Sequence, residues 1–211
     1  MDSTSAGIAR KRSTVGAEEG ARADLYRLLA QLWVGPPDVE LLQGIQAAPA
    51  EPREQTGHLE AAWRALLAAM RATSVEATAD EYDALFLGVG KPEILLYASY
   101  YLAGSLNERP LALLRDDLRA LGLTRDAARG ETEDHIAFLF EVMHCLIVGD
   151  DVSVCNLEQQ RRFFRAHLQP WVGELCNAVN AHPRAATWRA VADLTRTFMQ
   201  VEAQAFDMLD L

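Results

Sequence analysis

The stretch GETEDHIAFLFEVMHCL, residues 130–146, holds three acids within four positions, Glu131, Glu133 and Asp134, followed by His135 and an apolar run. Thr132 can cap a helix running from Glu133 to about Val148. That places acids in the first turn, where the helix dipole favours carboxylates by roughly 0.3–1 kcal/mol each. The dipole does not account for His135, which gains nothing from a positive helix end. An acid pair and a histidine at a helix start fit a metal site, an acid/base pair, or a surface that holds a positively charged group.

Outward from this segment the helical period recurs. Leu25, Leu28, Leu29, Leu32 and Trp33 form a stripe ended by GPP at 35–37. Asp38 caps a short helix through Leu41, Leu42 and Ile45, and Thr56 caps one carrying Leu59, Trp63, Leu66, Leu67 and Met70. A further helix ends at EYDALFLG, where Tyr82, Leu85 and Phe86 share a face and Gly88 supplies a stop. LLYASYYLAG reads as a short helix, and Leu111, Leu114, Leu118 and Leu121 mark another that stops at Gly122. Beyond GDDVS, Leu157, Phe164 and Leu168 suit one helix and Trp171, Leu175 and Val179 the next. Trp188, Val191, Leu194, Phe198, Val201 and Ala205 suit the last.

No segment reads as a strand. The expected fold is all-α: one domain of about nine or ten helices over residues 19–211, preceded by a flexible tail at 1–18 that lacks apolar periodicity. Half of the 211 residues are apolar, enough for a substantial core. Thirty acids against twenty Lys and Arg disfavour nucleic acid as a partner and favour basic ones. No apolar run approaches the roughly 20 residues of a membrane span and no signal peptide is evident, so a cytoplasmic location is expected.

Chemistry is sparse. Cys145, Cys155 and Cys176 are odd in number and lack a C-x-x-C pair, so reduced thiols are expected rather than a disulfide framework or a zinc site. His135 and His144 stand nine residues apart, on opposite faces of one helix, and cannot share a metal. The Glu141/His144 spacing occurs once, whereas a di-iron bundle needs it twice. GVGKPE lacks the spacing and the Ser or Thr of a P-loop, and Ser99 has no flanking glycines of a nucleophile elbow. No catalytic residue, metal or cofactor is expected.

The order of motifs resembles the TorD/DmsD/NarJ family of redox-enzyme maturation chaperones. The matching segments are LYRLLAQLW at 25–33, EYDALFLGVG at 81–90, YASYYLAG at 97–104 and ETEDHIAFLFEVM at 131–143. The resemblance implies an all-helical, non-enzymatic cytoplasmic chaperone. Its partner would be the precursor of a molybdenum-cofactor oxidoreductase subunit, held at its twin-arginine signal peptide during cofactor insertion and proofreading. Asp134 and His135 fall on the family's Asp-His pair, Leu85 and Phe86 on its Leu-Phe, and Tyr97 and Ser99 on residues facing the same groove. Tyr82, Glu131 and Glu133 complete the expected peptide site. Thr132 stands where the family often has Pro, and GVGKPEI where Gly-Pro is frequent.

The resemblance gives the acids a reason, because guanidinium groups beside an apolar segment call for carboxylates beside an apolar groove. Residues 131–151 contain six acids and no Lys or Arg. It also implies homodimers, formed by helix exchange across GDDVS or GLTRDAARGET. Two alternatives remain: assembly of a non-exported nitrate-reductase-like subunit, and a helical nucleotide-binding enzyme.

Overall fold

The computed structural model describes residues 6–49, 59–88, 90–125 and 130–208, with side chains described from Gly16 onward. Ten α-helices and one π turn make up its regular structure, and the described residues form no strand beyond a single isolated bridge. The all-α expectation therefore holds.

The first helix, α1, runs Ala6–Val34 and begins well ahead of the expected start near residue 19. It stops before Gly35, Pro36 and Pro37, as proline chemistry dictates. Asp38 caps α2 (Val39–Ala47) by accepting from the Leu41 amide at 2.8 Å. In α3 (Leu59–Arg71), Leu66, Leu67 and Met70 are buried; the Thr56 cap expected for it lies outside the described residues. Ser74 caps α4 (Val75–Tyr82), which continues into a π turn over Asp83–Leu87.

Gly88 ends that turn at φ +60°, and a Cβ there would collide with the carbonyl oxygen of Lys91. Only glycine lets the chain double back so tightly. The short α5 (Ala98–Ala103) and then α6 (Arg109–Ala120) follow. The second half holds α7 (Ile136–Val148), α8 (Leu157–His167), α9 (Val172–Ala181) and α10 (Thr187–Met208). Leu157, expected on the buried stripe of α8, is exposed at its first position, while Phe163 and Phe164 are buried.

The apolar α7 packs along α1, and α10 packs against α3 and α9. Tyr26, Trp33, Phe140, Phe198 and Trp188 fill the space between them. Trp33, Tyr82, Phe86 and Trp188 meet at centroid distances of 4.9–6.0 Å. The Tyr82 hydroxyl donates to the Trp33 carbonyl at 3.2 Å, and Trp33 Nε1 to Thr195 Oγ1 at 3.0 Å. This aromatic block fixes the π turn against α1 and α10. The Glu81 carboxylate reinforces it by accepting from the amides of Ala186, Thr187 and Trp188 at the start of α10, at 2.8–3.0 Å.

Candidate functional site

The helix expected from Glu133 begins at Ile136, and its cap is His135 rather than Thr132. The reason lies in a second segment. Ile136 N donates to Leu96 O (2.9 Å) and Ala98 N to Asp134 O (3.0 Å), which makes Tyr97 and His135 an antiparallel bridge. A backbone engaged this way is extended and cannot be helical. His135 Nδ1 instead accepts from the Ala137 amide at 3.2 Å, so the neutral ring carries its proton on Nε2.

The acids therefore do not form one anionic surface. Asp134 is buried, 2% exposed, and accepts from the Ser99 amide (3.0 Å), the Ser99 hydroxyl and the Thr132 hydroxyl (2.6 Å). It caps α5 from outside that helix. Glu133 turns to Arg115 at 2.8 Å, with Arg125 at 3.9 Å. Burial alone would raise the Glu133 carboxyl, but the hydrogen bonds from Arg115 and the backbone hold it below the usual carboxylate range. Glu131 remains exposed, accepts from the Tyr97 hydroxyl, and has its backbone carbonyl anchored by Arg125 at 2.6 Å.

Five of the nine expected site residues line one pocket of about 350 Å³: Tyr82, Phe86, Tyr97, Glu131 and His135. The Tyr97 ring stands edge-on to His135 at 5.1 Å. Leu85, in the middle of the π turn, is fully buried. Asp134 and Ser99 form the layer beneath, and Glu133 faces α6 through Arg115. Asp134 lines a separate groove of about 310 Å³ with Leu102, Leu113 and His167.

Sequence reasoning missed Leu87, Leu95 and Pro36, which also line the pocket. Leu87 is 56% exposed and follows the LF pair directly, so its apolar side chain next to a glycine stop was the available signal. Leu95 and Pro36 sit in loops without periodicity and gave none.

The pocket thus offers an apolar floor, three aromatic rings, one imidazole and a single exposed carboxylate. That set suits binding an apolar chain with a cationic group beside it. Among the described residues no cluster of three or more His, Cys, Asp or Glu could hold a metal ion, and no helix is long and apolar enough to cross a membrane.

A family model described as nitrate reductase delta subunit matches residues 53–177. The chaperone protein TorD of Shewanella loihica is 27% identical over 205 residues, covering 88% of this chain and 92% of its own. TorD of Aliivibrio fischeri is 29% identical over 138 residues, covering 62% of this chain and 64% of its own. A crystal structure of a candidate redox enzyme maturation protein from Archaeoglobus fulgidus matches with a TM-score of 0.55 at 20% identity, covering 86% of this chain and 93% of that one. That last likeness is one of fold. The relatives are named chaperones rather than enzymes, and the family model spans more than half of the sequence. The chain belongs to the nitrate reductase delta subunit family, as a TorD-type redox-enzyme maturation chaperone of the TorD/DmsD/NarJ group.

Proposed function

We propose that the protein holds the precursor of a molybdenum-cofactor oxidoreductase subunit in the cytoplasm, by binding its twin-arginine signal peptide in the pocket of Phe86, Leu87, Tyr97, Glu131 and His135. The observation that carries this reading is the convergence of motifs distant in sequence on one apolar pocket with one exposed carboxylate. Such a pocket takes the apolar part of a leader, and Glu131 faces its arginines. Holding the leader keeps the client from export until the cofactor is in place. Asp134 and Ser99 act from behind, by fixing the Tyr97 wall.

The family model's description favours a second client class, a nitrate-reductase-like subunit, which we take to be one that is not exported. The same pocket would then take an apolar segment without an arginine pair.

Calorimetric titration of a client leader peptide into wild type and Leu87→Ser tests the reading. Leu87 is exposed, so the fold is retained while the pocket loses apolar surface, and affinity is expected to drop about tenfold. Unchanged affinity in the folded variant would refute the assignment of this pocket. Equal binding of a leader with both arginines replaced by glutamine would favour the second client class.

A further inference from the structure

Cys145 and Cys155 stand at the two ends of the turn that joins α7 to α8. Cys145 lies in the last turn of α7, and the chain folds back after Gly149. There the amides of Val154 and Cys155 donate to the Asp151 carbonyl at 3.0 and 2.6 Å, and the Asp151 carboxylate accepts from the Ser153 amide and hydroxyl. Asn156 then caps α8 through the Gln159 amide at 3.0 Å.

This turn brings Cys155 Sγ to 3.5 Å from the backbone oxygen of Cys145. A Cβ built at Gly149 would collide with that same sulfur. The Gly149 amide donates to the same Cys145 carbonyl at 2.9 Å, so the Cys155 sulfur rests against the last carbonyls of α7 next to Cys145. Cys145 is exposed and Cys155 half-buried, whereas Cys176 is fully buried in α9; all three are free thiols.

We propose that Cys145 and Cys155 are a paired modification site, oxidised to an intramolecular disulfide by a hydroperoxide. Disulfides join cysteines whose Cα atoms lie about 4.4–6.8 Å apart, and the Cys155 sulfur, 3.5 Å from the Cys145 carbonyl oxygen, would reach its partner by rotation of the two side chains and a shift of the 150–155 turn. One thiolate attacks a peroxide oxygen, the O–O bond breaks, and one water leaves as the sulfur becomes a sulfenic acid. The second sulfur attacks the first, the S–S bond forms, and a second water leaves. Two thiols thereby lose two protons and two electrons, and hydrogen peroxide is reduced to two waters. Burial, with Glu141 beside it, holds the Cys145 thiol above its usual pKa, so the reaction quickens as pH rises. The bond locks the end of α7 to the start of α8, beside the existing contact of Gln160 Nε2 with the Leu146 carbonyl at 3.1 Å.

The test is hydrogen peroxide treatment of the reduced full chain, alkylation, and peptide mass spectrometry. The expected product is a cross-linked peptide pair joining residues 145 and 155, about 2 Da lighter than the two reduced peptides together, and restored by dithiothreitol. Its melting temperature should exceed that of the reduced protein, with no such rise in Cys155→Ser. Gly149→Ala retains both thiols but displaces the Cys155 sulfur, and the folded variant should cross-link more slowly at the same peroxide concentration. Alkylated Cys145 and Cys155 after treatment, a sulfinic acid at either position, or a disulfide between chains would each overturn the proposal.

Discussion

The carboxylate of Asp134 accepts both the amide and the hydroxyl of Ser99, so one acid residue caps a helix through a residue 35 positions earlier in the chain. Together with the Thr132 hydroxyl, three donors converge on a side chain with almost no solvent contact. Asp134→Asn turns one acceptor oxygen into a donor that faces these donors, and the remaining bonds lose their charge. Hydrogen bonds to a charged group contribute about 1.5–3 kcal/mol, and a loss of that order is expected in denaturant unfolding. A variant as stable as wild type would show that the cap is dispensable and that Asp134 acts otherwise.

Arg22 and Glu202 form the main buried ion pair, with Nε and Nη2 donating to the two carboxylate oxygens at 2.8 and 2.7 Å. Tyr26 adds a hydroxyl at 2.8 Å, and burial pushes that hydroxyl above its usual pKa, so it remains a donor. The network ties α1 to α10, and through Gln160 to α8. Glu202→Gln removes the buried counter-charge and leaves Arg22 only the more exposed Glu19 carboxylate at 3.1 Å, which costs about 3 kcal/mol. Replacing both partners, as Arg22→Met with Glu202→Leu, should cost less than Glu202→Gln alone. The comparison of melting curves for the two proteins checks this.

Stability should also respond to pH through His167, whose Nε2 lies 2.8 Å from the Asp117 carboxylate. Burial lowers its pKa from the ordinary 6.5, and Arg162 nearby adds to that, against the favourable charge of Asp117. The unfolded chain then binds a proton near pH 6.5 that the folded chain does not take up until lower pH. The contribution of His167 is therefore complete above about pH 6.5 and is lost as pH falls from there toward the folded value. Thermal melts from pH 7.5 down to 5 should fall more steeply for wild type than for His167→Gln, which retains a donor for Asp117. Parallel curves would show that this histidine titrates alike in both states.

The helices were legible because each buries a stripe at the α period, as Leu111, Leu114 and Leu118 do, and because Asp38 and the prolines after Val34 are local punctuation. The site was legible as a set of motifs but not as geometry. Nothing local to ETEDH shows that residues 134–136 pair with 96–98, yet that pairing moves the helix start to Ile136 and turns Asp134 inward. Glu81 and Asp134 are caps for distant helices, and a carboxylate capping across the fold reads in sequence like one on the surface. The apparent isolation of the acids also failed as a guide. Arg115 and Arg125 come from outside the acid-rich stretch and neutralise Glu133.

Glu131 is the remaining acid that is both exposed and part of the pocket, and among the described residues its carboxylate accepts from the Tyr97 hydroxyl, an uncharged donor. A neutral donor leaves the carboxylate charge available to a ligand cation, whereas Glu133 has spent its charge on Arg115. If a leader arginine meets Glu131, the two changes Glu131→Gln and peptide Arg→Gln should not add. A rim pair of this kind couples by about 1 kcal/mol, roughly fivefold in affinity, and the coupling should shrink as salt rises from 50 to about 300 mM. Glu133→Gln gives the control: it removes the contact with Arg115 and should show no coupling to the peptide. Calorimetric titration of two peptides into three proteins yields the full cycle, with melting curves verifying that each variant is folded. Additive effects at Glu131 at low salt would mean that the pocket binds its client through apolar contacts alone.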